Sequence, residues 1–273
     1  MNEQSFGQHN QEMIRKSGPE FFDILEDESV QARLKEDIAK HDGLVRIFVH
    51  PYFEQMLSLK GVESSNLDSE IETRYEKLNN SEDPIDQRES RVTKGFMRVL
   101  ESSDEQTPPV LVFEEKESMS ISQKIIEKLA PEIKRPVYYI PTHRWDPVPI
   151  IAGELPTDRY GQRKGADEAW ELLSEYFKDL GIKKILLGGQ LLYLNTDYNY
   201  SHPGNVDKGE EVRDRLLGDD YHELKASFKG CVFETYRHLF ENMGDIIELS
   251  NMSYPNNSND INRLKQGQEI IKS

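Results

Sequence analysis

Two histidines, two adjacent glutamates, an arginine and an aspartate stand just after short apolar runs in this chain. His50 follows Leu44 to Val49, Glu114 and Glu115 follow Val110 to Phe113, and Thr142, His143, Arg144 and Asp146 come soon after Val137 to Ile140. An imidazole near neutrality takes or gives a proton. A guanidinium offers a planar fork to a carboxylate or phosphate. With no redox-cofactor fingerprint in the chain, the lean is to a hydrolase or transferase. His50 or His143 would be the acid or base, Arg144 would hold an anionic group, and Glu114 would orient or activate. A fourth run, Ile182 to Leu187, is followed by Gly188, Gly189 and Gln190. A glycine pair lets a backbone approach a ligand closely, so Asp146, Gly188, Gly189 and Gln190 are expected to bind substrate. Plainer alternatives stand beside each role. A histidine at a strand end can be a hydrogen-bonded structural group, and a glycine pair can serve a tight turn or close packing. Glu114 and Glu115 point to opposite faces of a strand, so one of them is expected to be solvated.

His50, Glu114 and His143 are suitable ligand types for a metal, but no local spacing supports a site and none is assigned. No G-x-G-x-x-G and no G-x-x-x-x-G-K-[ST] occurs, so no redox or nucleotide cofactor is indicated and the cofactor stays unknown. Gly161 and Gly165 flank Gln162-Arg163-Lys164 before a helical segment. Two cations at a helix N-terminus favour an anion, and a flexible basic loop explains them equally. Tyr193, Tyr198, Tyr200 and His202 lie in a polar connection. That connection reads as a lid stacking on a planar substrate, or as a surface loop or interface.

Cys231 is the single cysteine, which excludes an intrachain disulfide and a four-ligand zinc site of the usual cysteine kind. Gly230-Cys231-Val232 opens a helical segment, with Thr235 four positions after the cysteine and Gly244 as the stop. A helix N-terminus lowers a thiol pKa, and a nucleophilic cysteine needs a base and an orienting acid. This stretch resembles the nucleophile segment of isochorismatase-like cysteine hydrolases. The resemblance implies a cysteine nucleophile with a catalytic Asp on the first strand and a catalytic Lys. Aligned through Phe53, the chain has Phe48 at the Asp position, no convincing Lys follows, and the long stretch from Gly189 to Gly230 replaces a connection of a few residues. The alternative is a small apolar residue packing the start of a helix.

The elements that must position these groups are legible in the apolar pattern. Residues 1–18 read as a loose arm. From Pro19 the pattern is helical, with Phe21, Phe22 and Leu25 extending the stripe of Val30, Leu34 and Ile38 to the stop at Gly43. Strands are expected at 44–49, 110–113, 137–140, 182–187 and 246–249. Residues 60–90 form a polar insertion, partly helical near Ile71 to Leu78 and mobile. Helices are expected around Val92 to Leu100, at 120–129, from Trp170 to Leu180, near 209–226 and at 231–243. Loops run over 141–165 and 190–209. The polar tail, 256–273, carries a short helix near Ile261 to Ile271. Continuous apolar strands are buried on both faces, and their alternation with helices marks βαβ units. The fold class is therefore α/β, a Rossmann-like three-layer α/β/α arrangement with a mainly parallel sheet of about five strands. Residues 19–255 form its single domain.

In such sheets ligands bind beyond the carboxyl ends of the strands, which is where the chemistry-bearing residues fall. The chain has 273 residues, a net charge of −16, 36% hydrophobic and 31% charged residues. No basic face exists to displace counterions from phosphates, which argues against nucleic-acid binding, and acidity disfavours anionic membranes. No apolar leader and no run of about 18 apolar residues occurs, so a cytoplasmic location is expected. The leading reading is a small-molecule enzyme acting on an anionic metabolite or nucleotide. The alternatives are a non-catalytic metabolite-binding or protein-interaction module, and a cysteine hydrolase using Cys231. The oligomeric state is open.

Overall fold

Apolar runs without polar alternation must be covered on both sides, and the longer runs form the middle of one sheet. The computed structural model describes residues 19–25, 28–51, 59, 61–82, 84–102, 107–133, 135–144, 146–151, 153–156, 164–189 and 231–249. Its strands are β1 (Phe21–Asp23), β2 (Leu44–Val49), β3 (Val110–Glu115), β4 (Val137–Thr142), β5 (Lys184–Gly189) and β6 (Ile247–Leu249). All neighbours are parallel, in the order β1-β4-β3-β2-β5-β6. With the edge strand β1 set aside, the other five follow the order 3-2-1-4-5 of a doubly wound sheet. The direction of winding reverses between β2 and β5.

The helices are α1 (Glu28–Lys40), α2 (Leu67–Asn80), α3 (Pro84–Glu101), α4 (Met119–Leu129), α5 (Ala166–Asp179) and α6 (Cys231–Met243). Val30, Leu34 and Ile38 of α1, Trp170, Leu173 and Phe177 of α5, and Val232, Tyr236 and Leu239 of α6 share one core with Val45, Ile47, Val49, Phe113 and Ile140. Ile71 of α2, Phe96 and Leu100 of α3, and Ile125 and Ile126 of α4 share the second with Phe48, Val110, Val112, Val137 and Tyr139. Successive strand residues thus feed opposite cores, and the sheet lies between two helical layers. This is the expected three-layer α/β architecture.

Several expectations are corrected. Phe21 and Phe22 are strand, not helix. A three-residue segment, Phe21-Phe22-Asp23, has no decisive period, and pairing with Val137 and Tyr138 of β4 wins. The Asp23 carboxylate then accepts from Leu25 N at 2.9 Å and turns the chain towards α1. Among the described residues the sheet accordingly has six strands. The 60–90 stretch is partly helical as expected, and its helix runs further than Ile71 to Leu78: α2 covers Leu67–Asn80 and α3 starts at Pro84, with Ile71, Phe96 and Leu100 in the second core. Gly188 and Gly189 are strand residues rather than a turn after β5, since they pair with Phe48 and Val49. The arm 1–18, the connection 190–209, the helix near 209–226, Gln190 and the tail 256–273 lie outside the described residues.

Candidate functional site

β3 and β4 run two residues beyond their apolar stretches, and that extension decides which side chains meet. Glu114 pairs with Pro141 and Glu115 with Thr142. Counting alternate residues from Phe113 and Ile140, Glu115 and Thr142 lie on the face covered by α1, α5 and α6, and Glu114 lies on the other. Both glutamates are buried, at 0% and 1% exposure, which corrects the expectation that one is solvated. Glu114 Oε1 accepts from Glu115 N at 2.9 Å. Glu115 Oε2 accepts from Ser118 Oγ at 3.2 Å, in the 3-10 turn that leads into α4.

His50 is the first residue past β2, and its N–H still donates to Phe113 O at 3.0 Å. Its φ is 45°, in the left-handed region that non-glycine residues enter at a cost. The ring is wholly buried, and Nε2 lies 3.2 Å from Thr142 Oγ1, reached past the end of β3. His50, Thr142 and Glu115 therefore stand at the carboxyl ends of β2, β3 and β4.

His143 is also buried, with Nδ1 3.0 Å from a Glu154 carboxylate oxygen that is mostly exposed. Its backbone closes a turn. His143 N donates to Val148 O, Asp146 N donates to His143 O, and Val148 N donates to Asp146 Oδ1 at 3.0 Å. Asp146 thus holds the turn. Arg144 is half exposed, 3.9 Å from a Glu117 oxygen, and stands at the rim. The described residues contain no group of three His, Cys, Asp or Glu side chains arranged to hold a metal, so His50, Glu114 and His143 do not converge in that way.

At Gly189 the closely approached groups belong to the protein. A Cβ there would lie 2.2 Å from Val49 O and 2.8 Å from Val232 Cγ2. The glycine seats β5 against β2 and against the first turn of α6.

Cys231 opens that helix. Burial pushes its thiol up to about 12, and the carboxylates of Asp146, Glu115 and Glu234 act in the same direction against a backbone hydrogen bond. The helix N-terminus is outweighed. The cysteine hydrolase reading needs a cation beside the sulfur, and no such group among the described residues lowers this thiol. Cys231 in the folded protein is expected to react with iodoacetamide at pH 8 about a thousandfold more slowly than an ordinary thiol, because its thiolate fraction is that much smaller. Unfolding in urea restores the ordinary rate. A native rate equal to the unfolded one would sink this account.

Sequence reasoning gave neither Thr142 nor Glu115 a role. The signal that finds them is strand parity, once β3 and β4 are extended to Glu115 and Thr142. Compared with known proteins, the chain matches no family model, no curated protein and no solved structure. The likeness around Cys231 rests on those residues alone.

Proposed function

We propose that the chain is a small-molecule hydrolase or transferase working at the carboxyl ends of β2, β3 and β4. His50 moves the proton, Thr142 orients its ring, and Glu115 supplies the nearby carboxylate. The observation that carries the reading is His50 itself. A wholly buried histidine in the left-handed region, beside the point where strand order reverses, bonds across the sheet end to a buried hydroxyl. Backbone strain of this kind gathers at functional sites, and ligands of doubly wound sheets bind at the reversal. Glu115 is a buried carboxylate at these strand ends, so the reacting part of the substrate is neutral or cationic. Any anionic group of a metabolite or nucleotide belongs at the rim near Arg144.

The burial of His50, Glu114, Glu115 and His143 favours a second reading, a binding module that does no chemistry. One experiment separates the two. Thermal unfolding is followed against nucleotides, phosphorylated or carboxylated metabolites and metals, with product analysis for every compound that stabilises. A ligand of the folded state adds about 2.7 kcal/mol at a hundred times its dissociation constant. The enzyme reading expects stabilisation and turnover, with turnover lost in His50→Gln and Glu115→Gln. Stabilisation without product supports the binding module. No stabilisation by any compound in the panel overturns both small-molecule readings.

A further inference from the structure

His238 is a buried titratable group outside the strand-end site, and it sits where α6 meets α5. Its ring lies flat on Trp170, and Trp170 stacks in turn on Phe113 of β3. Arg237 Nη2 donates to His238 Nε2. A guanidinium only donates, so Nε2 is the bare nitrogen and the ring proton is on Nδ1. A proton added at Nε2 breaks that bond and sets two cations side by side. The charged groups facing the ring are Arg237, Glu234 and Glu241 on α6 and Asp167 on α5. Arg237 holds both glutamates, at 2.8 and 3.2 Å. Asp167 is 91% exposed and 3.9 Å away, so solvent screens it.

α6 is placed to respond. It leads through Gly244 into β6, which among the described residues is an edge strand paired with β5 alone. Lifting α6 and β6 leaves the ladders joining β1 to β5 intact. Segments of this kind open without global unfolding, and a ring released into water regains its ordinary proton affinity.

We propose that acid releases α6, together with β6, from the rest of the fold, with His238 as the proton-operated catch. The inference stands apart from the proposed function but touches the same region, because release carries Val232 off Gly189, where β5 meets β2. Burial is the main reason that the folded ring has a pKa of about 4, against about 6.5 in water. Release therefore becomes about seventyfold more favourable between pH 7.5 and pH 4.5.

Amide hydrogen exchange of the full chain at both pH values, corrected for the pH dependence of the chemical rate, tests this. Residues 235–243 are expected to exchange through an opening smaller than global unfolding, more readily than α1. That opening is expected to grow about seventyfold in acid. His238→Phe keeps a ring for Trp170 and His238→Gln keeps an acceptor for Arg237, while neither binds a proton in this range. In either variant the acid response of 235–243 is expected to vanish, and one that folds suffices. Protection of 235–243 as strong as that of α1 at pH 4.5 overturns the proposal, since the helix then opens only with the whole chain. An acid response that survives the substitution overturns it as well, since the proton then acts elsewhere.

Discussion

Gly189→Ala is expected to destabilise the protein by about 3 kcal/mol or more, or to abolish soluble expression. Its φ is 149°, where L side chains are strained, and the new Cβ would stand 2.2 Å from Val49 O and 2.8 Å from Val232 Cγ2. The first contact is with backbone inside a strand ladder, so relief requires β2 and β5 to separate. Overpacking of this kind costs about 1–3 kcal/mol before backbone strain is added. Gly61→Ala is the control. It has φ 90° and nothing within 4 Å of the added Cβ, so only the left-handed penalty of about 1 kcal/mol applies. Equilibrium urea unfolding of both variants reads the difference. A Gly189→Ala loss no larger than the control's would mean that β5 is not seated on β2 and α6 as described.

Stability is expected to fall between pH 6.5 and pH 4 by up to about 3 kcal/mol through His238 alone. This ring lies flat against Trp170, with centroids 5.1 Å apart and planes 9° from parallel, and Trp170 stacks in turn on Phe113. Burial, with Arg237 beside it and against the pull of Asp167, lowers the pKa to about 4. Arg237 Nη2 donates to His238 Nε2 at 2.6 Å, which requires that nitrogen to be an unprotonated acceptor. Glu234 and Glu241 on α6 and Asp167 on α5 also face the ring, but the two glutamates are engaged by Arg237. An unfolded histidine binds its proton near pH 6.5. The folded pKa is therefore depressed, and the unfolded state takes up more protons throughout this window. The contribution is whole above pH 6.5, declines as pH falls, and is gone below about 4. Urea unfolding at pH 7.5 and pH 4.5 measures it, and His238→Gln should remove that part of the pH dependence. An unchanged pH dependence in the variant would sink the assignment.

The layered fold was legible because β2, β3, β4 and β5 are long apolar runs and α1, α5 and α6 have clear stripes. β1 was not legible. It is three residues long, and only its pairing with β4 distinguishes it from the start of α1. At the site, the strand-end rule reached His50 and His143, both of them buried. It favoured Glu114, while parity puts Glu115 on the face of Thr142. Ending β3 at Phe113 hid this parity, since the strand runs on to Glu115. Polar residues at a strand end look like loop until their ladder partners, Pro141 and Thr142, are known. The burial of both glutamates was likewise invisible, because nothing in their sequence shows that Ser118, in the following 3-10 turn, donates to Glu115.

The central position of β2 also governs how the chain can assemble during synthesis. Its partner residue for Leu44 is Lys184, 140 positions later. At ribosomal rates of roughly 5–20 residues per second, that interval is on the order of ten seconds. Throughout it, β2 can acquire β3 as a neighbour but has a bare edge where β5 belongs. β1 waits likewise for β4. The sheet cannot close from the N-terminus outwards, and pairings this distant in sequence make folding slow. A nascent chain stalled before residue 184 would expose the unpaired edge of β2 to other chains, the situation in which chaperones are recruited.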